Sequence, residues 1–390
     1  MKPQANAHIP WLDGLRGIAA LWVLLSHVQI LSGLRSVPVL SWGGLAVDLF
    51  MMLSGFLMAH HYLHRQQSEP WNKASTATSF WLRRYFRIAP LYYVLLVAAL
   101  IFGPFIGESR DAIAAVWPIT ATETARFSDQ STINVLIHTS FLFGAVPHYS
   151  FRSALPDWSI GLEMQFYLAF PLIMLLFWRV GAIRAGAGLI AVSLALQWMF
   201  PGFMAAFPMP SFLPLKLYVF MAGMWLAVGR HDNMMGRHLL SAVAAFAVCS
   251  EPAHPVLRLA GILMVVCMFY LMDTGSLPLS QQLQKVIGAL RIGFSGRVAR
   301  FMGDTSYAVY LLHLLILTPI AGLLATMPVY VALNPWARYL ICLFAVVATV
   351  YPLAWILHKT VELPGIKLAK LAIKALTGRS TGNRGLPSAR

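Results

Sequence analysis

Charged residues are scarce in this chain. Of its 390 residues only 11% are charged, whereas 58% are hydrophobic, and the mean hydropathy is +0.68. A soluble domain carries about 25% charged residues, so the composition excludes a soluble globular protein. Apolar runs of roughly 20 residues, the length that crosses a bilayer as an α-helix, recur along the sequence. They predict an all-α polytopic membrane protein.

Cysteine is also rare, and we expect no cleavable signal peptide. The three cysteines, Cys249, Cys267 and Cys342, stand in apolar runs without paired spacing, which argues against a structural disulfide and a thiol nucleophile. The first apolar run is as long as a membrane span, and no small-residue cleavage site follows it. We therefore interpret this run as the first transmembrane helix.

Most of the few charged residues are basic, and the formal net charge is +15. We predict ten transmembrane helices, near residues 12–34, 42–62, 85–106, 157–178, 184–200, 213–229, 238–251, 255–272, 304–325 and 337–358. Ten spans place the basic clusters that follow the second, eighth and tenth helices, together with both termini, on one side. Loops facing the cytoplasm collect Lys and Arg, so this side is predicted to be cytoplasmic and the membrane to be the inner one. We expect no nucleic-acid partner.

The predicted domain organisation is simple. Residues 1–376 are expected to form one transmembrane domain, and residues 377–390 a disordered cytoplasmic tail of polar composition. We find no internal repeat and no soluble second domain, and the oligomeric state cannot be predicted.

Two polar residues share one face of the first helix. Arg16 and His27 are eleven residues apart, which corresponds to about 20° past three full turns and a rise of about 16 Å. A guanidinium at the membrane edge and an imidazole deep in an apolar helix are both costly unless they serve a function. The pair predicts a site that extends across the membrane. His27 is the candidate general base, because imidazole titrates near neutrality.

Two carboxylates are predicted to lie at a depth similar to that of His27. By the helical rise, Asp48 and Glu163 each lie about 9 Å below the outer surface, and polar residues in spans usually face the bundle interior and pair. Either carboxylate could orient His27, and the pattern does not choose between them. The alternative is three unrelated buried groups that hold helices together.

Three arginines are predicted at the inner edge of the third helix. The i+4 and i+3 spacing of Arg83, Arg84 and Arg87 places them on one helix face. With Arg16 near the same level, these guanidiniums could hold phosphates through bidentate hydrogen bonds. The alternative is contact with lipid headgroups.

Two further stripes have helical spacing and combine hydroxyl groups with a titratable side chain. Their members are Ser159, Glu163 and Tyr167 on the fourth helix, and Ser306, Tyr310 and His313 on the ninth. Each stripe fits either a polar site or interhelical hydrogen bonds. His60 and His64 have the spacing of a metal-binding pair, but histidines also suit a wet helix end, and we expect no metal.

Motifs along most of the chain resemble those of the acyltransferase 3 family of integral membrane O-acyltransferases. LDGLRGIAALWVLLSHV carries an Arg-x10-His signature at Arg16 and His27, and GGLAVDLFMMLSGF resembles the second-helix motif around Asp48. RRYFRIAPLYY, DWSIGLEMQFYL, SYAVYLLHL and VELPGIK, the last with Glu362, resemble later motifs. The residues that follow Asp48 depart from the family, which often has aromatics there.

The resemblance implies ten core helices and acyl transfer from a cytoplasmic acyl-CoA, usually acetyl-CoA, to a sugar hydroxyl on the far side. It implies that His27 is essential and that Arg16, Arg83, Arg84 and Arg87 lie near the coenzyme. Some relatives carry a fused SGNH-type hydrolase domain. This chain ends about thirty residues after the tenth predicted helix, so we expect that domain to be absent.

We therefore expect a membrane O-acetyltransferase whose acceptor is a glycan or lipid-linked saccharide. His27 would deprotonate the acceptor hydroxyl for direct attack, or else carry the acyl group itself, and we favour direct attack. One alternative is an acyltransferase acting on a small exported metabolite. The other is a proton-coupled secondary transporter, since intramembrane His, Asp and Glu also form proton relays.

Overall fold

The computed structural model describes residues 9–250, 254–272 and 280–377, and the regular elements within these ranges are all helical. In chain order they are α1 (Pro10–Leu31), α2 (Gly43–Arg65), α3 (Ala74–Val116), α4 (Ala125–Ser128), α5 (Thr132–Thr139), α6 (Trp158–Val180), α7 (Ala182–Met199), α8 (Pro201–Ala205), α9 (Leu213–His231), α10 (Met235–Cys249), α11 (Pro255–Met272), α12 (Gln281–Phe294), α13 (Arg297–Ala325), α14 (Pro328–Val331), α15 (Pro335–Leu357) and α16 (Leu363–Thr377). A π-helical turn, His358–Glu362, joins α15 to α16.

Eight helical segments of the described ranges are long and apolar enough to cross a membrane. They are α1, α2, α3, α6, α7, α11, α13 and the run Pro335–Leu376 that begins with α15. This confirms the prediction of an all-α polytopic membrane protein. Helix α9 is buried along most of its length, and α10 has only 15 residues. The count of ten spans and the cytoplasmic placement of the termini therefore stay predictions.

Helix α3 is much longer than the predicted segment 85–106. It runs unbroken for 43 residues, with Pro90 and Pro104 inside it, and is about 64 Å long at 1.5 Å per residue. The prediction relied on apolar composition, which marks only the part of a helix that lies in lipid. The polar turns at each end continue the same helix.

Helices α1 and α13 pack side by side in parallel register. A Cβ atom on Gly17 would lie 2.6 Å from the backbone nitrogen of Gly303, so the two backbones approach closely there. Ten residues further along each helix, His27 meets His313. Two contacts with the same separation on both helices establish that α1 and α13 run in the same direction. Small residues at such contacts are typical of helix packing in membranes.

The two ends of the bundle differ. At the basic end, the start of α1, the end of α2, the start of α3 and the π-helical turn come together around Arg16, Arg84 and Arg87. At the opposite end, which we call the loop end, residues 117–157 form short helices and turns. Most of the tail predicted over residues 377–390 lies outside the described residues.

Candidate active site

A cavity of about 140 Å³ opens among the helices at the basic end. Its wall includes Arg16 from α1, Arg84 and Arg87 from α3, and Glu163 from α6. Helical spacing predicted that arginines of the third helix would lie near Arg16, and the structure brings these three together. A cavity lined by three guanidiniums has the donor groups needed to bind phosphate.

Arg83 does not line this cavity. Its guanidinium donates to Glu69, with Nη2 2.6 Å from Oε2, and its Nε lies 3.0 Å from the hydroxyl of Tyr62. Arg83 is therefore separated from Arg84 and Arg87, because its guanidinium binds Glu69 instead of lining the cavity. Sequence spacing alone could not identify this competing partner.

Two arginines of the cavity have unused hydrogen-bonding capacity. The Nε atom of Arg84 is buried and has no hydrogen-bond partner in the described part of the chain. Arg16 likewise makes no hydrogen bond or ion pair with another described residue. Arg87, by contrast, donates to Glu362 at 3.2 Å. A buried guanidinium nitrogen without a partner is costly, so Arg84 fits an anionic ligand that would satisfy it.

A second, smaller cavity of about 40 Å³ continues from the first, and the two share Arg16, Ser54, Glu163 and Tyr307 in their walls. Glu163 accepts hydrogen bonds from Ser54, at 2.7 Å, and from Tyr167. This places the carboxylate on the line that leads from the arginines into the bundle.

The second cavity reaches Ser159 and Tyr310. Their hydroxyls form a hydrogen bond of 2.7 Å between α6 and α13, so the two predicted stripes meet here. Ser306, the third member of its stripe with Tyr310 and His313, instead donates to the carbonyl of Gly303 in its own helix.

His27 does not line either cavity, and its nearest polar partner is His313. Nε2 of His313 lies 3.0 Å from Nδ1 of His27, and Nδ1 of His313 lies 2.6 Å from the carbonyl oxygen of Tyr310. His313 is fully buried. The ring of Tyr310 lies 6.0 Å from that of His313, so Tyr310 connects the second cavity to the histidine pair.

Asp48 and Glu163 do not converge on His27. Asp48 binds Lys216 of α9, with Nζ 2.8 and 2.9 Å from its two oxygens, and Glu163 binds Ser54 and Tyr167. The predicted depth of Glu163 assumed that α6 begins at the outer surface. Asp157, the residue before α6, is instead only 2% exposed, since the loop end covers it. Glu163 therefore lies deeper, beside the arginines.

Two ion pairs could not be predicted from spacing. Lys216 lies within the predicted sixth helix, 213–229, and a cation inside an apolar segment is itself a signal of pairing; its partner is Asp48. Glu362 and His358 have i, i+4 spacing, and only the π-helical turn directs Glu362 to Arg87 as well.

The loop end adds a buried polar cluster. Arg126 of α4 is 9% exposed, its Nε donates to the carbonyl of Ser153 at 3.0 Å, and its guanidinium lies 3.8 Å from the ring centre of Phe151. Burial lowers the pKa of Arg126 to about 9, whereas burial raises the pKa of Asp157. His138 of α5 belongs to this cluster, with Nε2 3.8 Å from Oδ2 of Asp157.

A larger cavity lies elsewhere in the described chain. It has a volume of about 610 Å³ and lies where α6 meets α7, beside the start of α10, with Trp178, Arg184 and Arg237 in its wall. None of the residues predicted for the site lines it. The described residues also contain no cluster of His, Cys, Asp and Glu suited to a metal ion.

The comparison with known proteins decides the family. A family model described as "Acyltransferase domain", that of acyltransferase 3, matches residues 9–355. The chain belongs to the acyltransferase 3 family. Membership of this family, together with the membrane-spanning helical fold, favours the enzyme over the transporter alternative.

The curated relatives that this chain matches differ in length. Peptidoglycan O-acetyltransferase OatA of Listeria monocytogenes serovar 1/2a is 24% identical over 80% of this chain, which spans 50% of that protein. Acyltransferase MdmB of Streptomyces mycarofaciens is 26% identical over 81% of the chain and 80% of its own length. O-acetyltransferase OatA of Staphylococcus aureus is 30% identical over 44% of the chain and 26% of its own length. No solved structure matches.

Proposed function

We propose that this acyltransferase moves an acetyl group from acetyl-CoA, bound at the basic end, to a hydroxyl group of a glycan at the loop end. His27 serves as the general base. The observation that carries the proposal is the pair of joined cavities. They connect Arg16 and Arg84, which have no hydrogen-bond or ion-pair partner among the described residues, to Tyr310, which adjoins the histidine pair.

The basic end suits the phosphates of a coenzyme. Arg16, Arg84 and Arg87 would hold them, and Arg84 offers the unsatisfied buried nitrogen that such a ligand would fill. At about 140 Å³ the cavity is smaller than the roughly 300 Å³ at which drug-sized pockets begin. It would therefore enclose only part of acetyl-CoA, with the remainder outside the bundle.

Polar groups continue from the arginines toward His27. Ser54, Glu163 and Tyr167 line the way, and the Ser159–Tyr310 hydrogen bond marks its inner limit. Transfer then requires this hydrogen bond to open so that the thioester passes Tyr310. In this proposal Glu163 shapes the donor passage, and Asp48 holds α2 against α9.

In the chemical step His27 first accepts a proton and then donates one. A ring nitrogen of His27 takes the proton of the acceptor hydroxyl, and the hydroxyl oxygen attacks the thioester carbonyl carbon. The carbon–sulfur bond breaks, the acetyl ester forms, and the leaving thiolate receives the proton from the imidazolium.

A glycan acceptor is supported by two relatives named as O-acetyltransferases, one of them a peptidoglycan O-acetyltransferase. The test uses the purified protein in liposomes with labelled acetyl-CoA and three acceptor arms: peptidoglycan fragments, an exopolysaccharide oligomer, and a small hydroxylated metabolite. Coenzyme release and acetylated product are measured by mass spectrometry. We expect glycan-dependent release by the wild type and none by His27→Ala, with acetyl-CoA binding retained.

Other outcomes have defined meanings. Near-normal turnover by His27→Ala would refute the assignment of the base. Transfer to the small metabolite alone would refute the glycan acceptor. Label trapped on His27 after rapid quench without acceptor would replace direct attack by an acyl-enzyme route.

A further inference from the structure

We propose that His313 is a positioning residue that fixes the tautomer of His27, so that Nε2 of His27 is the atom that accepts the acceptor proton. The inference rests on the proposed function for the role of His27 as a base. It concerns which of the two ring nitrogens acts and what holds the ring in that state.

The ring of His313 carries its hydrogen on Nδ1. Its Nδ1 is 2.6 Å from the carbonyl oxygen of Tyr310. A carbonyl oxygen only accepts hydrogen bonds, so Nδ1 of His313 must carry the hydrogen. In the neutral ring the other nitrogen, Nε2, then has a lone pair and acts as an acceptor.

The ring of His27 also carries its hydrogen on Nδ1. Its Nδ1 lies 3.0 Å from Nε2 of His313 and 3.1 Å from the carbonyl oxygen of Val23. Both neighbours are acceptors, so both require the hydrogen of His27 to be on Nδ1. Three contacts thus agree on one assignment, and they leave Nε2 of His27 with a free lone pair.

This assignment matters for catalysis because the two tautomers are not equivalent. With its hydrogen on Nε2, His27 would present a donor where the reaction needs a base. Serine hydrolases use a buried aspartate to hold the corresponding tautomer. Here a neutral imidazole takes that place, which avoids a buried carboxylate charge within the membrane.

The packing of α1 against α13 maintains the contact. The close approach at Gly17 and Gly303 sets the distance between the two helices ten residues before the histidine pair. His313 has little freedom to turn, since it is fully buried and anchored to its own helix. The ring of His27 is therefore oriented by a rigid neighbour.

The first test reads the tautomer directly. The protein is labelled with ¹⁵N-histidine in liposomes, and the signals of His27 are identified as those lost in His27→Ala. We expect the hydrogen of His27 on Nδ1 in the wild type and a measurably larger share of the Nε2 tautomer in His313→Leu, where of these two acceptors only the Val23 carbonyl remains at Nδ1. A hydrogen on Nε2 of wild-type His27, or an unchanged tautomer in His313→Leu, would overturn the inference.

The second test is kinetic and uses matched variants. His313→Leu should lower kcat at least about tenfold, with KM for acetyl-CoA unchanged. The upper limit of the loss is the roughly 10²–10⁴-fold that general-base catalysis supplies. His313→Gln keeps an acceptor oxygen and should recover part of kcat. Thr305→Val, which removes a buried hydroxyl bonded within α13, is the control and should keep wild-type kcat. Wild-type kcat in His313→Leu would refute the proposal.

The two failures can be told apart. If the wild type shows the expected tautomer but transfers no acetyl group to any acceptor, the proposed function fails and the tautomer assignment stands. If transfer occurs and the tautomer is the opposite one, the proposed function stands and His313 has no positioning role. The wild-type spectrum decides the tautomer even if His313→Leu does not fold.

Discussion

Arg87 and Glu362 form an ion pair that joins α3 to the π-helical turn, with Nη1 3.2 Å from Oε2. Glu362 is fully buried, and the same oxygen lies 2.8 Å from Nδ1 of His358. Turns with π-helical hydrogen bonding are rare in proteins, and those that occur are often found at functional sites. This turn directs a carboxylate at an arginine of the basic-end cavity and so holds that arginine in the cavity wall.

Replacing Glu362 by Gln should therefore weaken donor binding. The loss of one charge-assisted hydrogen bond, about 1.5 kcal/mol, corresponds to a roughly tenfold rise in KM for acetyl-CoA, with a smaller change in kcat. Glu69→Gln is the control, because Glu69 binds Arg83 outside the cavity. An unchanged donor KM in Glu362→Gln would contradict this role.

The arginines at the basic end should differ in their effect on donor affinity. Arg16→Gln and Arg84→Gln each remove from the cavity a guanidinium that has no hydrogen-bond or ion-pair partner among the described residues, and each should raise the Kd for acetyl-CoA by roughly 10–100-fold. Arg83→Gln should raise it much less, because that side chain is held by Glu69. Isothermal titration of the purified variants measures this, and equal effects at positions 83 and 84 would disprove the division.

Asp48 and Lys216 should behave as one structural unit. Removing one partner of a buried ion pair costs about 3–5 kcal/mol, so Asp48→Asn and Lys216→Met should each lower the unfolding temperature. The double variant should recover much of the loss, since it leaves no unpaired charge. Thermal unfolding in detergent gives the comparison, with kcat per folded molecule measured alongside. A stable double variant without activity would show that Asp48 has a catalytic role in addition to its structural one.

The contact between α1 and α13 should tolerate no side chain at Gly303. A Cβ atom there would collide with the backbone carbonyl of Asp13, so Gly303→Ala should separate the helices, lower stability and reduce kcat. Gly188→Ala is the matched control in α7, where a Cβ atom meets nothing within 4 Å. That change should be neutral or stabilising by about 0.5–1 kcal/mol. Equal unfolding temperatures for the two variants would contradict the close packing.

Helical periodicity predicted what lies along each helix but not how the helices align with one another. The spacing of Arg16 and His27 placed both on one helix face, and composition identified the polytopic helical fold. Glu163 lies beside the arginines, and sequence spacing does not describe this placement, because it depends on how the loop end covers Asp157 at the start of α6. The partner of His27 was missed for the same reason, although His313 stood at a suitable position on the ninth predicted helix.

Competition between partners was equally invisible in the sequence. Arg83 and Arg84 are neighbours with similar local surroundings, yet Glu69 selects one of them. Asp48 was expected near His27, and Lys216 binds it instead. Pair choices of this kind depend on long-range contacts between helices that only the folded chain brings together.

The length of α3 makes it a reporter of orientation. At about 64 Å it is roughly twice as long as the 30 Å hydrocarbon core, so both of its ends project into water. Ser75 near one end and Asp111 near the other are exposed. A cysteine at each position, probed with a thiol reagent that cannot cross lipid, would assign the compartment of the arginine cavity from a single helix.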